Sequence, residues 1–305
     1  MTLVWLPDPP EVLGGLPQGM TADVWTGGEP LPASKDEVEI IVLPFGVTEE
    51  TLARVTRLPN LKLVQLTSAG AERVIPHMPD SVMLCNARGA HDAATAEWTA
   101  GVIVAHLRNF PRFVKAQEQG RWDFAASESV AGKHVLIVGY GSIGGAVERR
   151  LAGWEVTIER VARASRPGEG VKGLEDLHKV LPTADVVVLL VPVTDETRGM
   201  VNAEFLASMK DGALLVNAAR GAIVHTDALL KELNTGRIKA ALDVTDPEPL
   251  PPGHPLWTAP GLLLTPHIGG AITDTRERAY AIVSAQLARY AAGEPLDNVI
   301  GARGY

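Results

Sequence analysis

The stretch HVLIVGYGSIGGAVERRL, residues 134–151, passes from an apolar strand pattern to a helix pattern across a turn rich in glycine. Its glycines fit the spacing G-x-G-x-x-G, which is specific when it follows a strand and opens a helix: Gly139, Gly141 and Gly144. Such glycines permit a tight turn, close approach of a pyrophosphate, and close packing of helix on strand. The N–H groups of Ser142 and Ile143 would face the phosphates at the positive end of the helix dipole. A dinucleotide-binding turn is predicted; the alternative is a tight turn without a ligand.

The end of the next strand decides between NAD and NADP, because an acid there binds the ribose and an arginine accommodates a 2′-phosphate. The stretch is VTIERVARASRPG, in which Glu159 competes with Arg160, Arg163 and Arg166. Guanidinium groups so close together repel one another unless an anion or solvent screens them. The pattern favours NADP, with Arg160 and Arg163 on the phosphate. A solvated basic loop, with Glu159 on the ribose of NAD, is the alternative.

Composition narrows the class of protein. The chain has 305 residues, 46% of them hydrophobic, which is enough for two domains. Its formal charge of −8 gives no electrostatic footprint for nucleic acid, and no apolar run approaches the ~20 residues that span a bilayer. The single cysteine, Cys85, excludes an intramolecular disulfide and fits a reducing compartment. We expect a cytoplasmic protein without a nucleic-acid or membrane partner, whose N-terminus is a strand and not a signal peptide.

Short apolar runs alternate with helix patterns in two separate parts of the chain. The first part contains LVWLP, VEIIVLP, LKLVQLT and VMLCN, and the second contains HVLIVG, WEVTIERV, ADVVVLLVP, GALLVNAA, IKAALDV and GLLLTP. This alternation is typical of parallel sheets with crossover helices. Between the two parts, residues 95–117 have the pattern of one long apolar helix. We interpret it as a bridge between domains, with an ordinary core helix as the alternative.

Three polar motifs follow later strands, at the edge where open α/β sheets place their ligands. In LLVNAARGAIV, Arg220 can hold a carboxylate in a two-pronged bond. In ALDVTDPEPLPPGHPLW, Glu248 lies between two prolines that restrict the loop, and in LLLTPHIGG, His267 precedes two glycines. Each alone has a structural explanation: an ion-paired arginine, an exposed acid or a structural histidine. The histidines form no convincing metal-ligand cluster with cysteine or acids.

The chain resembles the D-isomer-specific 2-hydroxyacid dehydrogenase family, and glyoxylate and hydroxypyruvate reductases in particular. The resemblance rests on the order and spacing of five segments: VGYGSIG, VNAARG, ALDVTDPEPLP, HPLW and TPHIGG. The resemblance extends from about LKLVQLTSAG to the final helix. It implies an α/β protein with two doubly wound parallel-sheet domains. A Rossmann-type cofactor domain, residues 95–271, would be inserted into a flavodoxin-like substrate domain, residues 1–94 and 272–305. The resemblance also suggests a homodimer, with the long helix as a candidate interface.

The resemblance further implies roles for single residues. Arg220 matches the residue that binds the substrate carboxylate and polarises its carbonyl, His267 matches the general acid/base, and Glu248 matches the carboxylate paired with that histidine. Ala69 and Gly70 match a first-domain loop whose backbone meets the substrate carboxylate. Besides the turn and the two arginines, the implied cofactor contacts are Pro192, Thr197, Ala218 and Asp243.

The expected reaction is reduction of a small 2-keto acid, such as glyoxylate or hydroxypyruvate, to the D-2-hydroxy acid. Reduced nicotinamide would supply the hydride, and protonated His267 would supply the proton. Glu248 would orient the ring and favour its charged form, while Arg220 would stabilise charge growing on the carbonyl oxygen. Two alternatives are a dinucleotide-sensing protein of the corepressor kind and a dehydrogenase of formate or phosphite. Formate has no ketone to protonate, which disfavours it.

Overall fold

The computed structural model describes residues 1–301 and divides the chain into two compact units. One unit is Met1–His91 with Ile272–Tyr305, and the other is Asp92–Ala271. The divisions fall between His91 and Asp92 and between Ala271 and Ile272. Within the described residues, no helix combines the length and the apolar character needed to cross a membrane.

The first unit is built on a six-stranded sheet whose five parallel strands have the flavodoxin-like order 2-1-3-4-5. A sixth strand pairs antiparallel with the edge. In chain order the strands are β1 Thr2–Leu6, β2 Met20–Val24, β3 Ile40–Leu43, β4 Leu63–Leu66, β5 Met83–Cys85 and β13 Val299–Ile300. The helices are α1 Glu49–Val55 and α8 Thr275–Ala292.

Both faces of this sheet are buried, which explains why its central strands are apolar at every position. All four residues of β3 and all four of β4 are buried. Helix α8 packs Val283 and Leu287 into the cluster on one face, and α1 packs Leu52 and Val55 into the cluster on the other. Thr48 caps α1 by accepting the N–H of Thr51 at 3.2 Å.

The second unit contains a seven-stranded, wholly parallel sheet in the Rossmann order 3-2-1-4-5-6-7. Its strands are β6 His134–Val138, β7 Thr157–Ala162, β8 Val171–Gly173, β9 Val186–Leu189, β10 Leu214–Asn217, β11 Lys239–Leu242 and β12 Leu262–Leu264. Its helices are α2 Asp92–Leu107, α3 Phe110–Glu118, α4 Ser142–Leu151, α5 Leu177–Val180, α6 Ala203–Ser208 and α7 Thr226–Thr235. The chain order reverses between β6 and β9, where such sheets open a ligand crevice at their carboxyl ends.

The prediction of one helix over residues 95–117 is wrong, because two helices occupy this stretch. The chain breaks at Asn109, which has a left-handed φ of 57°, and Pro111 lies in the first turn of α3. Helix α2 buries Ala96, Ala100 and Ile103 against the sheet and α4. It is therefore a core helix of the second unit.

Candidate active site

The turn after β6 has the shape that a bound pyrophosphate requires. Gly139 has a φ of +102°, and a Cβ there would lie 2.5 Å from the carbonyl carbon of Leu190, so only glycine fits. Gly144 allows α4 to pack on the turn, since its Cβ would lie 3.2 Å from the Gly139 carbonyl oxygen. By contrast, a Cβ on Gly141 would meet no atom within 4 Å. The backbone at Gly141 is thus open to a ligand.

The N-terminus of α4 completes this cradle. The helix begins at Ser142, directly after Gly141, and no side chain among the described residues caps it. The first N–H groups of a helix lack intrahelical partners, so those of Ser142 and Ile143 are suited to an anion. The Ser142 hydroxyl donates to Asp92 at 3.2 Å, so the residue presents its backbone and not its side chain. These residues fit a dinucleotide cofactor.

Arg160 lies inside β7, opposite Ile137 of β6, and not at the end of the strand. Its guanidinium forms a two-pronged ion pair with Glu148 of α4, with Nε 2.7 Å from Oε2, and lies 5.6 Å from the centre of the Tyr140 ring. The Arg160 hydrogen bonds lower the pKa of the Glu148 carboxyl. Arg160 therefore ties α4 to the sheet, and its predicted place on a cofactor phosphate stays a prediction.

The other charged residues of this stretch are placed differently. Glu159 also lies inside β7 and pairs with Lys172 of β8 at 2.6 Å, so no acid stands at the strand end to bind a ribose. Arg163 is the first residue beyond β7. The pKa of Glu196 is lowered, mainly by hydrogen bonds from Thr194 and the backbone and also by the charge of Arg163. Arg163 therefore faces the loop after β9.

That loop contains two predicted cofactor contacts, Pro192 and Thr197. The Thr197 hydroxyl donates to the Pro192 carbonyl at 2.6 Å and accepts the Thr194 N–H at 2.8 Å. The Thr197 side chain is buried and braces the loop, so a ligand would meet the backbone here. Ala218 follows the neighbouring strand β10, and its N–H reaches the carbonyl of Leu189 at the end of β9.

His267 and Glu248 form a direct pair. Nδ1 of His267 lies 2.5 Å from Oε1 of Glu248, and the two side chains remain 49% and 40% exposed. Oε2 of Glu248 accepts the N–H of Thr245 at 3.4 Å, which orients the carboxylate. Because Nδ1 is engaged, Nε2 is the ring nitrogen left to face a substrate. The arrangement has the form of an acid/base histidine oriented by a carboxylate.

Asp243, directly after β11, is only 4% exposed and holds the histidine loop. Its Oδ1 accepts the Thr265 hydroxyl at 2.6 Å and the Ile268 N–H at 2.9 Å, and its Oδ2 accepts the Gly269 N–H at 2.7 Å. A carboxylate offers about four lone-pair positions, so one on Oδ2 is left for a further donor. Nothing in the sequence singled out Thr265, although it stands in the histidine motif.

Arg220 follows β10, and its Nη1 donates to the Ala219 carbonyl at 2.7 Å. A Cβ on Gly221 would lie 1.9 Å from the Thr245 carbonyl oxygen, so the backbone beside Arg220 packs on the loop that orients Glu248. Strands β10, β11 and β12 are neighbours in the sheet. Arg220, Glu248 and His267 therefore follow the carboxyl ends of three adjacent strands, as open α/β sheets place their ligands.

Ala69 and Gly70 lie in the first unit, after the carboxyl end of β4. The Ala69 carbonyl accepts from Nδ2 of Asn86 at 2.7 Å, and the Gly70 carbonyl accepts from the Ser68 hydroxyl at 3.1 Å. These two bonds hold the loop after β4 in place.

Comparison with known proteins identifies the family. Residues 100–269 match the family model described as D-isomer specific 2-hydroxyacid dehydrogenase, NAD binding domain. A glyoxylate reductase from Thermofilum pendens is 35% identical over 77% of this chain and 74% of its own length. A formate dehydrogenase from Arabidopsis thaliana is 32% identical over 86% of this chain and 72% of its own.

Solved structures of the same family have a similar fold. A D-isomer specific 2-hydroxyacid dehydrogenase from Xanthobacter autotrophicus, in complex with NADPH and MES, matches with a TM-score of 0.85 and 30% identity, over 99% of this chain and 98% of that one. An NADPH-dependent glyoxylate/hydroxypyruvate reductase from Sinorhizobium meliloti, in complex with NADP and sulfate, matches with a TM-score of 0.84 and 26% identity over the whole of both chains.

The fold and the glycine turn define an NAD(P)-dependent oxidoreductase with two doubly wound α/β domains. The chain belongs to the D-isomer-specific 2-hydroxyacid dehydrogenase family. The predicted fold class, family and class of enzyme are confirmed.

Proposed function

We propose that this enzyme reduces a small 2-keto acid of the glyoxylate or hydroxypyruvate class to the D-2-hydroxy acid, using NADPH. The observation that carries the proposal is the 2.5 Å pair of His267 and Glu248, on the same sheet edge as Arg220. An acid/base histidine suits a carbonyl that must gain a proton, and an arginine suits a carboxylate beside it. The glyoxylate reductase among the relatives supports this substrate class.

In the proposed mechanism, Arg220 grips the substrate carboxylate and draws charge toward the carbonyl oxygen. His267 donates a proton from Nε2 to the carbonyl oxygen, and Glu248 holds the ring through Nδ1 and stabilises its positive charge. The nicotinamide, when bound, supplies the hydride.

We propose that the cofactor is held by the glycine turn and by the N–H groups of Ser142 and Ile143. The backbone groups of Pro192, Thr197 and Ala218 would border the cofactor. The remaining lone pair on Asp243 would accept a hydrogen bond from the nicotinamide amide. Asp243 would then contact the cofactor, as predicted, while it also holds the histidine loop.

We propose that the cofactor is NADP and not NAD. Of the two arginines predicted to contact its 2′-phosphate, Arg160 and Arg163, we propose that Arg163 makes the contact. Arg163→Gln should weaken NADPH by about 10- to 100-fold and NADH far less, because a charge-assisted bond to the 2′-phosphate is lost. Arg160→Gln is the matched control: it breaks the ion pair with Glu148 and should change both affinities alike. Fluorescence titration of both cofactors measures this, and equal losses in Arg163→Gln would contradict the assignment.

A panel of substrates with both reduced cofactors tests the proposed function. Absorbance at the nicotinamide band should fall with glyoxylate or hydroxypyruvate and NADPH. Turnover of formate with the oxidised cofactor would favour the formate dehydrogenases among the relatives, whose substrate has no ketone for the acid/base pair. Tight cofactor binding without turnover of any substrate would favour the dinucleotide-sensing alternative.

We also propose a homodimer, built on a surface other than the predicted helix. Residues 121–129 lie in no helix or strand and present Trp122 and Phe124, which are 95% and 89% exposed. The segment is held in place, since Arg112 binds Asp123 through two bonds of 2.8 and 2.9 Å. Large exposed apolar side chains on a fixed segment are typical of a protein–protein interface, and the family resemblance suggests a second copy as the partner.

The double substitution Trp122→Ser with Phe124→Ser should therefore shift the protein from dimer to monomer, because it removes the apolar anchors. Light scattering at micromolar concentration measures the mass. Phe45→Ser, which alters a 69% exposed aromatic in the other unit, should leave the mass unchanged. A monomeric parent protein, or a double variant that remains dimeric, would refute this interface.

We propose the cytoplasm as the location. Cys85 is a fully buried free thiol in β5, and burial raises its pKa to about 11. A thiol held in its protonated form is inert toward oxidation, and the fold has no disulfide to form. Both features suit a reducing compartment.

A further inference from the structure

We propose that Trp98, on the core helix α2, is a positioning residue for His267 and acts through Thr265 and Asp243. The inference rests on the proposed catalytic role of His267. It links a helix outside the sheet edge to the geometry of the acid/base group.

The relay has a fixed direction. Nε1 of Trp98 lies 3.0 Å from the Thr265 hydroxyl, and that hydroxyl lies 2.6 Å from Oδ1 of Asp243. An indole N–H can only donate, so the Thr265 oxygen accepts from Trp98. The single hydrogen of the hydroxyl is then directed to the carboxylate. The indole thereby selects one hydroxyl orientation and fixes one oxygen of Asp243.

Asp243 in turn holds three consecutive N–H groups of the histidine loop. Its backbone carbonyl accepts from His267 at 2.7 Å, and its carboxylate accepts from Ile268 and Gly269. His267 has a φ of +55°, a left-handed conformation that is unfavourable for a residue with a side chain. Such a conformation persists only where neighbouring groups determine it. The Asp243 bonds supply that constraint on both sides of the histidine.

The indole also packs directly on the loop. A Cβ on Gly269 would lie 3.6 Å from Cγ of Trp98 and 2.8 Å from Oδ2 of Asp243, so the loop backbone rests against both groups. Trp98 therefore restricts the movement of the histidine loop both by packing against it and by its hydrogen bond to Thr265. Loss of the bond alone should leave the chain folded, because the ring can still pack.

Two substitutions separate the bond from the packing. Trp98→Phe keeps a ring and removes the N–H, and Thr265→Val keeps the shape and removes the hydroxyl. Each should lower kcat about tenfold, the effect of one hydrogen bond. Trp25→Phe is the matched control, because it removes an indole N–H that donates to the Gly28 carbonyl at 2.8 Å in the other unit. It should change thermal stability only.

The distinguishing measurement is the pair of ¹⁵N shifts of the His267 ring, recorded without substrate. In the parent protein they should report one tautomer, fixed by Glu248, and in Trp98→Phe and Thr265→Val a mixture. This readout does not depend on the substrate, so a chain that reduces no 2-keto acid still tests the relay. Unchanged ring shifts in both variants, or an equal change in Trp25→Phe, would overturn the proposal.

Discussion

Replacing His267 with alanine is expected to lower kcat for 2-keto acid reduction by roughly 10²- to 10⁴-fold, the range for loss of a general acid. The side chain is half exposed and contributes one bond to Glu248, so the fold should survive. Cofactor binding should also survive, because the glycine turn lies after a different strand, β6. Stopped-flow turnover and fluorescence titration of NADPH measure the two quantities separately.

His178→Ala is the matched control for this variant, since His178 is an exposed histidine on α5. Its turnover should equal that of the parent protein. The turnover of Glu248→Gln should lie between those of His267→Ala and His178→Ala. An amide can still bond to the imidazole ring but cannot stabilise its positive charge. Parent-like turnover in His267→Ala would remove this residue from proton transfer.

Replacing Arg220 with lysine is expected to lower kcat/KM for the keto acid by roughly 10²- to 10³-fold, although the positive charge is kept. Lysine cannot form the planar, two-pronged bond to a carboxylate, and it loses a donor aimed at the carbonyl oxygen. Steady-state kinetics with the keto acid varied at saturating NADPH measure the loss. Arg57→Lys, at an exposed position in the first unit, should have no effect.

A different pattern would reassign Arg220. If Arg220→Lys weakened the binding of NADPH and left the KM of the keto acid unchanged, the guanidinium would belong to the cofactor site. If neither changed, the arginine would be the ion-paired structural residue that its motif alone also allowed.

Most of the fold could be predicted from the sequence, because a parallel sheet covered on both faces leaves long apolar runs such as those of β3 and β9. The strands that escaped prediction are short or polar. Strand β2 is MTADV, and β8 has three residues, VKG; both lie at sheet edges, where burial imposes less of a pattern. The break at Asn109 was also missed, since the apolar pattern continues through it into α3.

The candidate site shows the same division between local and distant information. Arg220, Glu248 and His267 stand in short motifs whose residue types carry their chemistry. Trp98 and Thr265 are separated by 167 positions, and no local pattern predicts that their side chains meet. The ion pair of Arg160 with Glu148 is equally distant from local pattern, because the basic run around Arg160 does not show that a carboxylate on helix α4 lies against its guanidinium.

A crystal structure with NADP and oxamate, an unreactive analogue of a 2-keto acid, tests the central claim most directly. We predict that the oxamate carboxylate lies on the Arg220 guanidinium, with its carbonyl oxygen within hydrogen-bond distance of Nε2 of His267 and its carbonyl carbon facing the nicotinamide ring. Oxamate bound away from these two side chains, or a diphosphate that does not enter the turn at Gly139–Gly144, would contradict it.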